Sequence, residues 1–282
     1  MSLDATIPLL PVPPSRRLSF LWLMLEMVKN PLGSWGEDFY DEPIVVYRNF
    51  GLENAFVMDP DMVQTMFLDD CASFSKRPIY DHVLGEGGGK GLLIAEGDHW
   101  RWQRRLMASF FRAEDLLAYV PVFAADCEAL LARWREAPPG SLEAIDSAVR
   151  TATLQALQDT VLATEPSHDD RRLTREAAAA FLEPTVWKVA FASLKLPSWM
   201  PHPGALRMRR ASRDLRATAA RALAARRQDK REGPDLLWRL MTAKDPSTGT
   251  GMPDSLILDN VVTFLVAGHE TTAQALSWTL RC

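Results

Sequence analysis

Most of the chain beyond residue 97 shows the spacing of amphipathic α-helices, with apolar side chains recurring every three to four positions. The predicted helical segments are 98–112, 114–137, 141–163, 169–194, 204–231, 234–243 and 254–281. The main breaks between them are rich in proline and glycine, which interrupt helices. The pattern therefore predicts a mainly α fold in which 98–282 is helical.

A small β element is predicted ahead of that helical region. Residues 43–58 contain two β-branched and aromatic runs around the letters GLE, which is the pattern of a hairpin. The apolar run 18–28 predicts an amphipathic helix, and Pro60 behind Asp59 predicts another helix start. Residues 1–15 are proline-rich and are expected to be extended, and the stretch from the second helix start to residue 91 is expected to be mostly loop.

The length of 282 residues allows one large domain or two ordinary ones, and 47% hydrophobic residues with a net charge of -4 indicate a soluble globular protein. That charge gives no general attraction to nucleic acid or to an anionic membrane. The cysteines, three in number and widely spaced, argue against a disulfide scaffold and favour a reducing, cytoplasmic location. The run 18–28 contains Glu26 and is shorter than the ~20 residues that span a bilayer, so no transmembrane anchor is predicted.

Two polar residues in the segment 97–111 form the first candidate site. Trp100 and Arg104 are four positions apart, so they share one face of a helix. An indole N–H and a guanidinium fork together suit a carboxylate or phosphate group. The alternative is that Trp100 belongs to the core and Arg104 pairs with a carboxylate of the protein.

The second candidate site is the centre of the last helix, 264–276, whose sequence is FLVAGHETTAQAL. The pair His269 and Glu270 begins like a zinc-protease helix, but Ala273 stands where the second histidine would be needed. Gly268 weakens the helix by about 1 kcal/mol relative to alanine, which suggests that something approaches its backbone closely. The alternative is a tight helix crossing at Ala267 and Gly268.

Two further segments allow a functional and a structural interpretation. The glycine cluster near residues 85–91 lacks the residues of a phosphate-binding loop, so a flexible loop is the favoured interpretation. The arginine-rich segment 205–231 is compatible with a helix that binds nucleic acid or another anionic partner. Its basic residues occur around most of the helix and no aromatic residue lies among them, so a solvated helix is favoured.

Taken together, these motifs resemble the cytochrome P-450 family of haem-thiolate monooxygenases. The family pattern W-x-x-x-R matches Trp100 and Arg104, and the pattern A-G-x-[DE]-T-T matches Ala267–Thr272. The order of the proline-rich lead, helix, hairpin, glycine-rich loop and Trp-Arg helix is also similar. The resemblance covers essentially the whole chain and implies the cytochrome P-450 fold, as a single domain spanning 1–282.

The resemblance also implies a cofactor and roles for individual residues. Haem b is expected, with its propionates held by Trp100 and Arg104. Ala267 and Gly268 would leave room for dioxygen, and Thr271 would help to deliver a proton with Glu270 in the relay. Electrons are expected from NAD(P)H through a ferredoxin or flavoprotein reductase, and the substrate is expected to be a small apolar molecule that receives one oxygen atom of O2.

Phe181, Val262 and Leu265 would be among the residues of the substrate-pocket wall. Arg101, Arg105 and Arg112, on or near the Trp-Arg helix, would face an acidic electron donor, the alternative being solvated surface arginines.

One element of the family pattern is not found in this sequence. The family's axial ligand is a cysteine in a glycine-containing loop behind an E-x-x-R helix, and a thiolate there favours breaking of the O–O bond. Cys71, Cys127 and Cys282 all lack that context. The axial cysteine is therefore expected beyond residue 282, and the chain as written is expected to be an incomplete fold and catalytically inactive.

Overall fold

The computed structural model describes residues 18–281 apart from short gaps at 31, 50–51, 85–86, 88, 139, 142–143, 163–167, 198 and 230. The proline-rich lead 1–15 lies outside the described residues. In chain order the elements are α1 Phe20–Lys29, α2 Asp38–Asp41, β1 Ile44–Asn49, β2 Leu52–Val57, α3 Pro60–Gln64, α4 Arg77–Val83, α5 Gly97–Ala108, α6 Ala113–Leu117, α7 Val120–Glu136, α8 Ile145–Val161, α9 His168–Leu182, α10 Thr185–Ser193, α11 Ala205–Gln228, α12 Leu236–Thr242 and α13 Asp254–Arg281. The predicted mainly α fold with one small β element is confirmed.

The chain divides into two compact units, and the single domain that the resemblance implies stays a prediction. The first unit comprises the chain up to Val83 together with Thr185–His202, and it contains the hairpin. Strands β1 and β2 are antiparallel, with Val45 opposite Phe56. Because side chains alternate along a strand, Val45 and Tyr47 both point inward, where they pack with Phe20 of α1. The predicted hairpin and first helix are thus confirmed.

Helix starts in the first unit follow the predicted chemistry, but the expected loop is partly helical. The Met62 N–H donates to Asp59 Oδ1 at 2.9 Å, so Asp59 caps α3 with Pro60 in its first turn. The region up to residue 91 was expected to be mostly loop, whereas it contains α4, Arg77–Val83. His82 fixes this helix by contacting the carbonyl oxygens of Pro78 and Leu196 at 2.9 and 2.8 Å.

The second unit comprises Leu84–Pro184 and Pro203–Cys282, and α13 contributes a large part of its core. Ile257, Val261 and Leu265 recur at four-residue spacing on α13 and are at most 1% exposed. They pack in one cluster with residues of α5, α11 and α12, such as Met107 and Leu215. This apolar stripe fixes which face of α13 is buried and which face is available to a site.

Two predicted helices are each divided in the structure. The segment 169–194 was predicted as one helix, but α9 ends at Leu182 and α10 begins at Thr185. Pro184 lies between them, and its ring and missing N–H prevent a continuous helix. The segment 114–137 is divided in the same way between α6 and α7.

Among the described helices, none combines the length and the apolar character that crossing a bilayer requires. The cytoplasmic location stays a prediction.

Candidate functional site

Helix α5 presents Trp100 and Arg104 on its outer face. The adjacent face of the helix is buried through Gln103, Leu106 and Met107. Trp100 is 39% exposed and Arg104 is exposed as well. Within the part of the chain that the structure describes, neither the indole N–H nor the guanidinium has a hydrogen-bond partner. The alternative of a core tryptophan and an internally paired arginine therefore does not describe this structure.

The orientation of α5 is set by a buried amide pair that no motif indicated. Gln103 and Asn260 are both fully buried, and Asn260 Nδ2 donates to Gln103 Oε1 at 2.9 Å. Gln103 Nε2 donates in turn to the Lys90 carbonyl oxygen, and the Leu92 N–H donates to Asn260 Oδ1. Because buried polar groups need their partners, these bonds fix the rotation of α5 and turn its neighbouring residue Arg104 outward.

The same network holds the glycine-rich segment against α13. The Lys90 N–H donates to Asp259 Oδ2 at 2.8 Å, and Gly89 has a φ of +58° beside that carboxylate. A Cβ atom at Gly89 would lie 2.2 Å from Asp259 Oδ1, so only glycine fits. Where it is described, this segment is thus packed on α13, and the interpretation as a flexible loop was wrong for Gly89–Leu92.

The centre of α13 combines a tight helix crossing with an exposed polar turn. A Cβ atom on Gly268 would lie 3.0 Å from Leu157 Cδ1, so the glycine allows α8 to approach closely. The Thr271 hydroxyl donates to the Ala267 carbonyl oxygen at 3.0 Å, and both residues are exposed. The helix crossing that the sequence left as an alternative is therefore present at Gly268, and Ala267 and Thr271 face away from it.

Glu270 has a partner that the sequence did not reveal. Arg150 on α8 donates from Nη1 to Glu270 Oε2 and from Nε to Asp146 Oδ2, the latter at 2.7 Å. The hydrogen bond to Asp146 is the largest cause of the raised pKa of Arg150; burial opposes it, and the hydrogen bond and charge of Glu270 add to it. Since Arg150 and Glu270 are 120 positions apart, no local spacing rule could have connected them.

His269, the neighbour of Glu270, is buried and has a defined ring orientation. Its Nδ1 lies 2.8 Å from the Leu265 carbonyl oxygen, which can only accept, so Nδ1 carries a proton. Its Nε2 lies 3.9 Å from Glu270 Oε2. Ala273 is fully buried, and the described residues contain no metal-binding cluster of three or more His, Cys, Asp or Glu side chains.

Two clefts lie along α8 and α13, and they differ in polarity. The polar cleft has a volume of about 430 Å³ and is lined by Asp146, Arg150, Thr151, Arg175, His269 and Glu270, among others. The apolar cleft has a volume of about 310 Å³ and is lined by Phe110, Phe123, Leu157, Phe264, Ala267 and Gly268, among others. Helix α13 thus contributes Glu270 to the polar cleft and Ala267 to the apolar cleft.

Three residues expected in a substrate-pocket wall belong to the packed core. We expected Phe181, Val262 and Leu265 to face an apolar substrate, but they are 2%, 1% and 0% exposed. All three lie in the same hydrophobic cluster, and the Phe181 ring fills the space where a side chain on Gly87 would be. Their apolar character is explained by packing.

Most of the arginines of α11 are neutralised by carboxylates. Arg226 is buried against Asp235, and Arg216 Nη1 lies 2.5 Å from Asp259 Oδ1. Further pairs join α11 to neighbouring segments: Arg207 with Glu183, Arg221 with Asp170, and Arg227 with Asp254. The segment is thus a partly buried helix held by ion pairs, which favours the structural interpretation over an anionic partner.

The charges near α5 were expected to face an acidic electron donor. Arg105 instead binds Asp245, with Nη2 to Oδ2 at 2.6 Å, and Arg101 binds Asp98 at 2.8 Å. Arg112 is exposed and has no partner among the described residues. Of the basic residues proposed for that surface, Arg112 is therefore the one not engaged by a carboxylate in the described structure.

The fold is that of the cytochrome P-450 class. The haem domain of cytochrome P-450DA, a solved structure, superposes with a TM-score of 0.71 over 96% of this chain and 59% of its own length, at 20% sequence identity. That likeness concerns the fold alone.

The chain belongs to the cytochrome P-450 family, because the family model matches residues 11–282. The cyclooctat-9-en-7-ol 5-monooxygenase of Streptomyces melanosporofaciens is 30% identical over 78% of this chain and 46% of its own length. The pentalenene oxygenase of Streptomyces avermitilis is 28% identical over 90% of this chain and 55% of its own length. A bifunctional cytochrome P-450/NADPH–P-450 reductase of Gibberella moniliformis is 31% identical over 67% of this chain and 18% of its own length. The chain thus spans about half the length of the two Streptomyces relatives.

The donor chemistry of the site fits the haem that the family implies. Haem carries two carboxylate arms on a flat apolar ring, and Trp100 and Arg104 offer unpaired donors of the kind that bind carboxylates. Ala267 supplies a small side chain on an exposed helix face next to a hydroxyl, that of Thr271. Cys71 and Cys127 are exposed on other elements, and Cys282 lies outside the described residues, so the position of the axial cysteine stays a prediction.

Proposed function

We propose that the complete protein is a haem-dependent monooxygenase acting on an apolar organic substrate. The balanced reaction is RH + O2 + NADPH + H⁺ → ROH + H2O + NADP⁺, so one oxygen atom enters the substrate and the other leaves as water. The observation that carries the proposal is the pair of unpartnered donors, Trp100 and Arg104, on the outer face of α5 in a chain of this family. A bound haem would supply the dioxygen activation.

The residues of the chain would bind the cofactor and move a proton. Trp100 and Arg104 would hold the propionates by charge-assisted hydrogen bonds. Ala267, on the exposed face of α13, would leave room above the ring. The Thr271 hydroxyl donates to Ala267 in the resting helix and keeps lone pairs that can accept, so it can pass on a proton that Glu270 supplies.

The electron donor and the substrate class are supported by the relatives and by the apolar cleft. One relative carries its NADPH reductase in the same chain, and we propose a separate ferredoxin or flavoprotein reductase for this protein. Two relatives are named for cyclooctat-9-en-7-ol and pentalenene. An apolar substrate agrees with the aromatic lining of the apolar cleft, to which Phe110, Phe123 and Phe264 contribute.

Haem retention tests the cofactor site directly. The complete protein is purified as wild type, Trp100→Phe/Arg104→Leu and Arg101→Leu, and haem content is measured by absorbance before and after challenge with apomyoglobin. Loss of haem should be at least tenfold faster in the double variant than in wild type. Arg101 lies on the same helix but binds Asp98, so its variant is the matched control. Equal rates in all three proteins would refute the propionate clamp.

The ratio of product to hydrogen peroxide formed during turnover tests the proton-delivery role proposed for Thr271. Thr279 lies two turns further along α13 and donates to Ala275 at 2.8 Å, which is the same local geometry. With NADPH, a ferredoxin and its reductase, and a panel of hydrocarbons headed by pentalenene, Thr271→Ala should divert electrons from product to hydrogen peroxide. Thr279→Ala should leave the ratio of product to peroxide unchanged. Equal ratios in both variants would exclude a proton-delivery role for Thr271.

A further inference from the structure

The polar cleft places a cation beside the carboxylate that the proposed reaction uses. Glu270 lies on α13 and Arg150 on α8, and their side chains are 35% and 30% exposed. The pair therefore lies at the boundary between the protein interior and the solvent-filled cleft. An ion pair that is partly shielded from water is stronger than one on the open surface, because solvent screens it less.

Arg150 makes two bonds that together fix its guanidinium plane. Nε donates to Asp146 on its own helix, one turn earlier, and Nη1 donates to Glu270 across the helix interface. The guanidinium is planar and rigid, so anchoring one edge to Asp146 determines where the other edge points. Asp146 thus orients Arg150, and Arg150 orients the Glu270 carboxylate.

The surroundings offer Glu270 no other close cation among the described residues. His269 is the neighbouring titratable group, but its Nε2 is 3.9 Å away, beyond hydrogen-bond distance. Arg175 also lines the polar cleft, where its Nη1 lies 3.5 Å from the Thr151 hydroxyl. The direction of the Glu270 carboxylate is therefore decided by Arg150.

We propose that Arg150 is a positioning residue that holds the Glu270 carboxylate in the polar cleft, where solvent protons reach it. This inference rests on the proposed function, because it assigns the second half of the proton relay. Glu270 exchanges protons with water on the cleft side of α13, and Thr271 lies on the exposed face beside Ala267. Glu270 and Thr271 are adjacent along α13, so a proton taken up on the cleft side can pass to the exposed face.

The first test measures the pair without turnover. Urea unfolding of the complete protein, as purified, is compared for wild type, Arg150→Met, Glu270→Gln and the double variant. Removing either partner breaks the same bond. The urea midpoint of the double variant should therefore be nearly the same as that of the less stable single variant. Arg172→Met is the control, since Arg172 forms an exposed pair with Glu176 on α9 at 3.0 Å. It should shift the midpoint equally in the wild-type and Glu270→Gln backgrounds. Additive shifts for Arg150→Met and Glu270→Gln would overturn the inference.

The second test separates positioning from simple structural support. With the best substrate of the hydrocarbon panel, Arg150→Met should lower kcat at least fivefold, raise the peroxide fraction and leave KM and haem content unchanged. Arg150→Lys keeps the charge without the fork, so it should recover part of the loss. In the Glu270→Gln background, Arg150→Met should change kcat less than twofold.

The two proposals fail in different ways. A fivefold loss of kcat from Arg150→Met that persists undiminished in the Glu270→Gln background would overturn the positioning role, as would an unchanged kcat. A wild-type protein that binds no haem would instead refute the proposed function, and the unfolding comparison would still decide whether Arg150 holds Glu270.

Discussion

At the residue scale, the buried pair of Arg226 and Asp235 joins the end of α11 to the start of α12. Both residues are nearly inaccessible to solvent, and Arg226 Nη2 lies 3.1 Å from Asp235 Oδ2. Asp235 also caps α12, because its Oδ1 accepts from the Trp238 N–H at 2.7 Å. The guanidinium stacks 4.6 Å above the Trp238 ring. The Asp235 carboxylate thus caps α12 and also neutralises the buried Arg226 guanidinium.

Replacing Asp235 by alanine should therefore strongly destabilise the folded protein. The variant loses the cap and leaves the Arg226 guanidinium buried without its partner, which costs about 3–5 kcal/mol of unfolding free energy. Urea unfolding followed by circular dichroism measures the change. Asp214→Ala is the control, because Asp214 pairs with Arg210 on the exposed surface of α11 and should matter little. Similar shifts in both variants would show that the burial of the Arg226 pair is unimportant.

Asp245 makes the free energy of unfolding depend on pH. Hydrogen bonds from the Ser247 hydroxyl and from Arg105 lower the pKa of this carboxyl well below its usual range. A lowered folded-state pKa contributes stability above the unfolded-state value of about 3.9, and that contribution is lost as pH falls toward the folded-state value. The advantage of wild type over Asp245→Asn should thus be full at pH 7 and shrink below about pH 4. Thermal unfolding across this range measures it, and a pH-independent difference would contradict the assignment.

At the element scale, the crossing of α8 and α13 depends on the absence of a side chain at Gly268. The two methyl carbons of Leu157 lie 3.0 and 3.2 Å from the position of an added Cβ atom. Thr153 reinforces the same crossing, since its hydroxyl lies 3.3 Å from the His269 carbonyl oxygen. The packing of the two helices thus fixes the positions of Arg150 and Glu270 relative to each other.

Gly268→Val should therefore destabilise the protein although valine is the better helix former. Forcing a branched side chain against Leu157 costs about 1–3 kcal/mol of overpacking, which exceeds the propensity gain of less than about 1 kcal/mol. Ala275→Val, on the exposed surface of the same helix, is the matched control and should change stability little. Adding Leu157→Ala should restore much of the loss in urea unfolding. Equal effects of the two valine variants would argue against a close crossing.

The same elements show how far the sequence could predict the structure. Helix α13 and the outward face of α5 depend on local periodicity, so spacing alone located Trp100 and Arg104. The packing of the glycine-rich segment depends on Asp259 and Asn260, about 170 positions away, and periodicity contains no such information. The break at Pro184 was missed because the apolar spacing continues across it, although proline itself was the signal. The Arg150–Glu270 pair had no sequence signal.

At the scale of the whole molecule, charge is balanced locally as well as in total. The net charge is only -4, and the long basic helix α11 finds carboxylates on several neighbouring segments. These include Glu183 behind α9, Asp254 at the start of α13 and Asp259 within it. Its arginines consequently link α11 to the rest of its unit, and little unpaired positive charge remains for a polyanion.

Binding to nucleic acid should accordingly be weak. A protein gains affinity for DNA by releasing counterions, with a slope of log K against log salt of about -0.9 for each phosphate neutralised. Paired arginines must first give up their carboxylates, so fluorescence anisotropy with a 20-base-pair duplex should show no saturable binding at 150 mM salt. The variant that frees three of these arginines is the positive control and should bind more tightly at low salt, with a steeper salt dependence. Its substitutions are Asp170→Asn, Glu183→Gln and Asp254→Asn. Tight binding by wild type with a steep salt slope would restore the anionic-partner interpretation, because it would mean that the ion pairs of α11 exchange readily for phosphates.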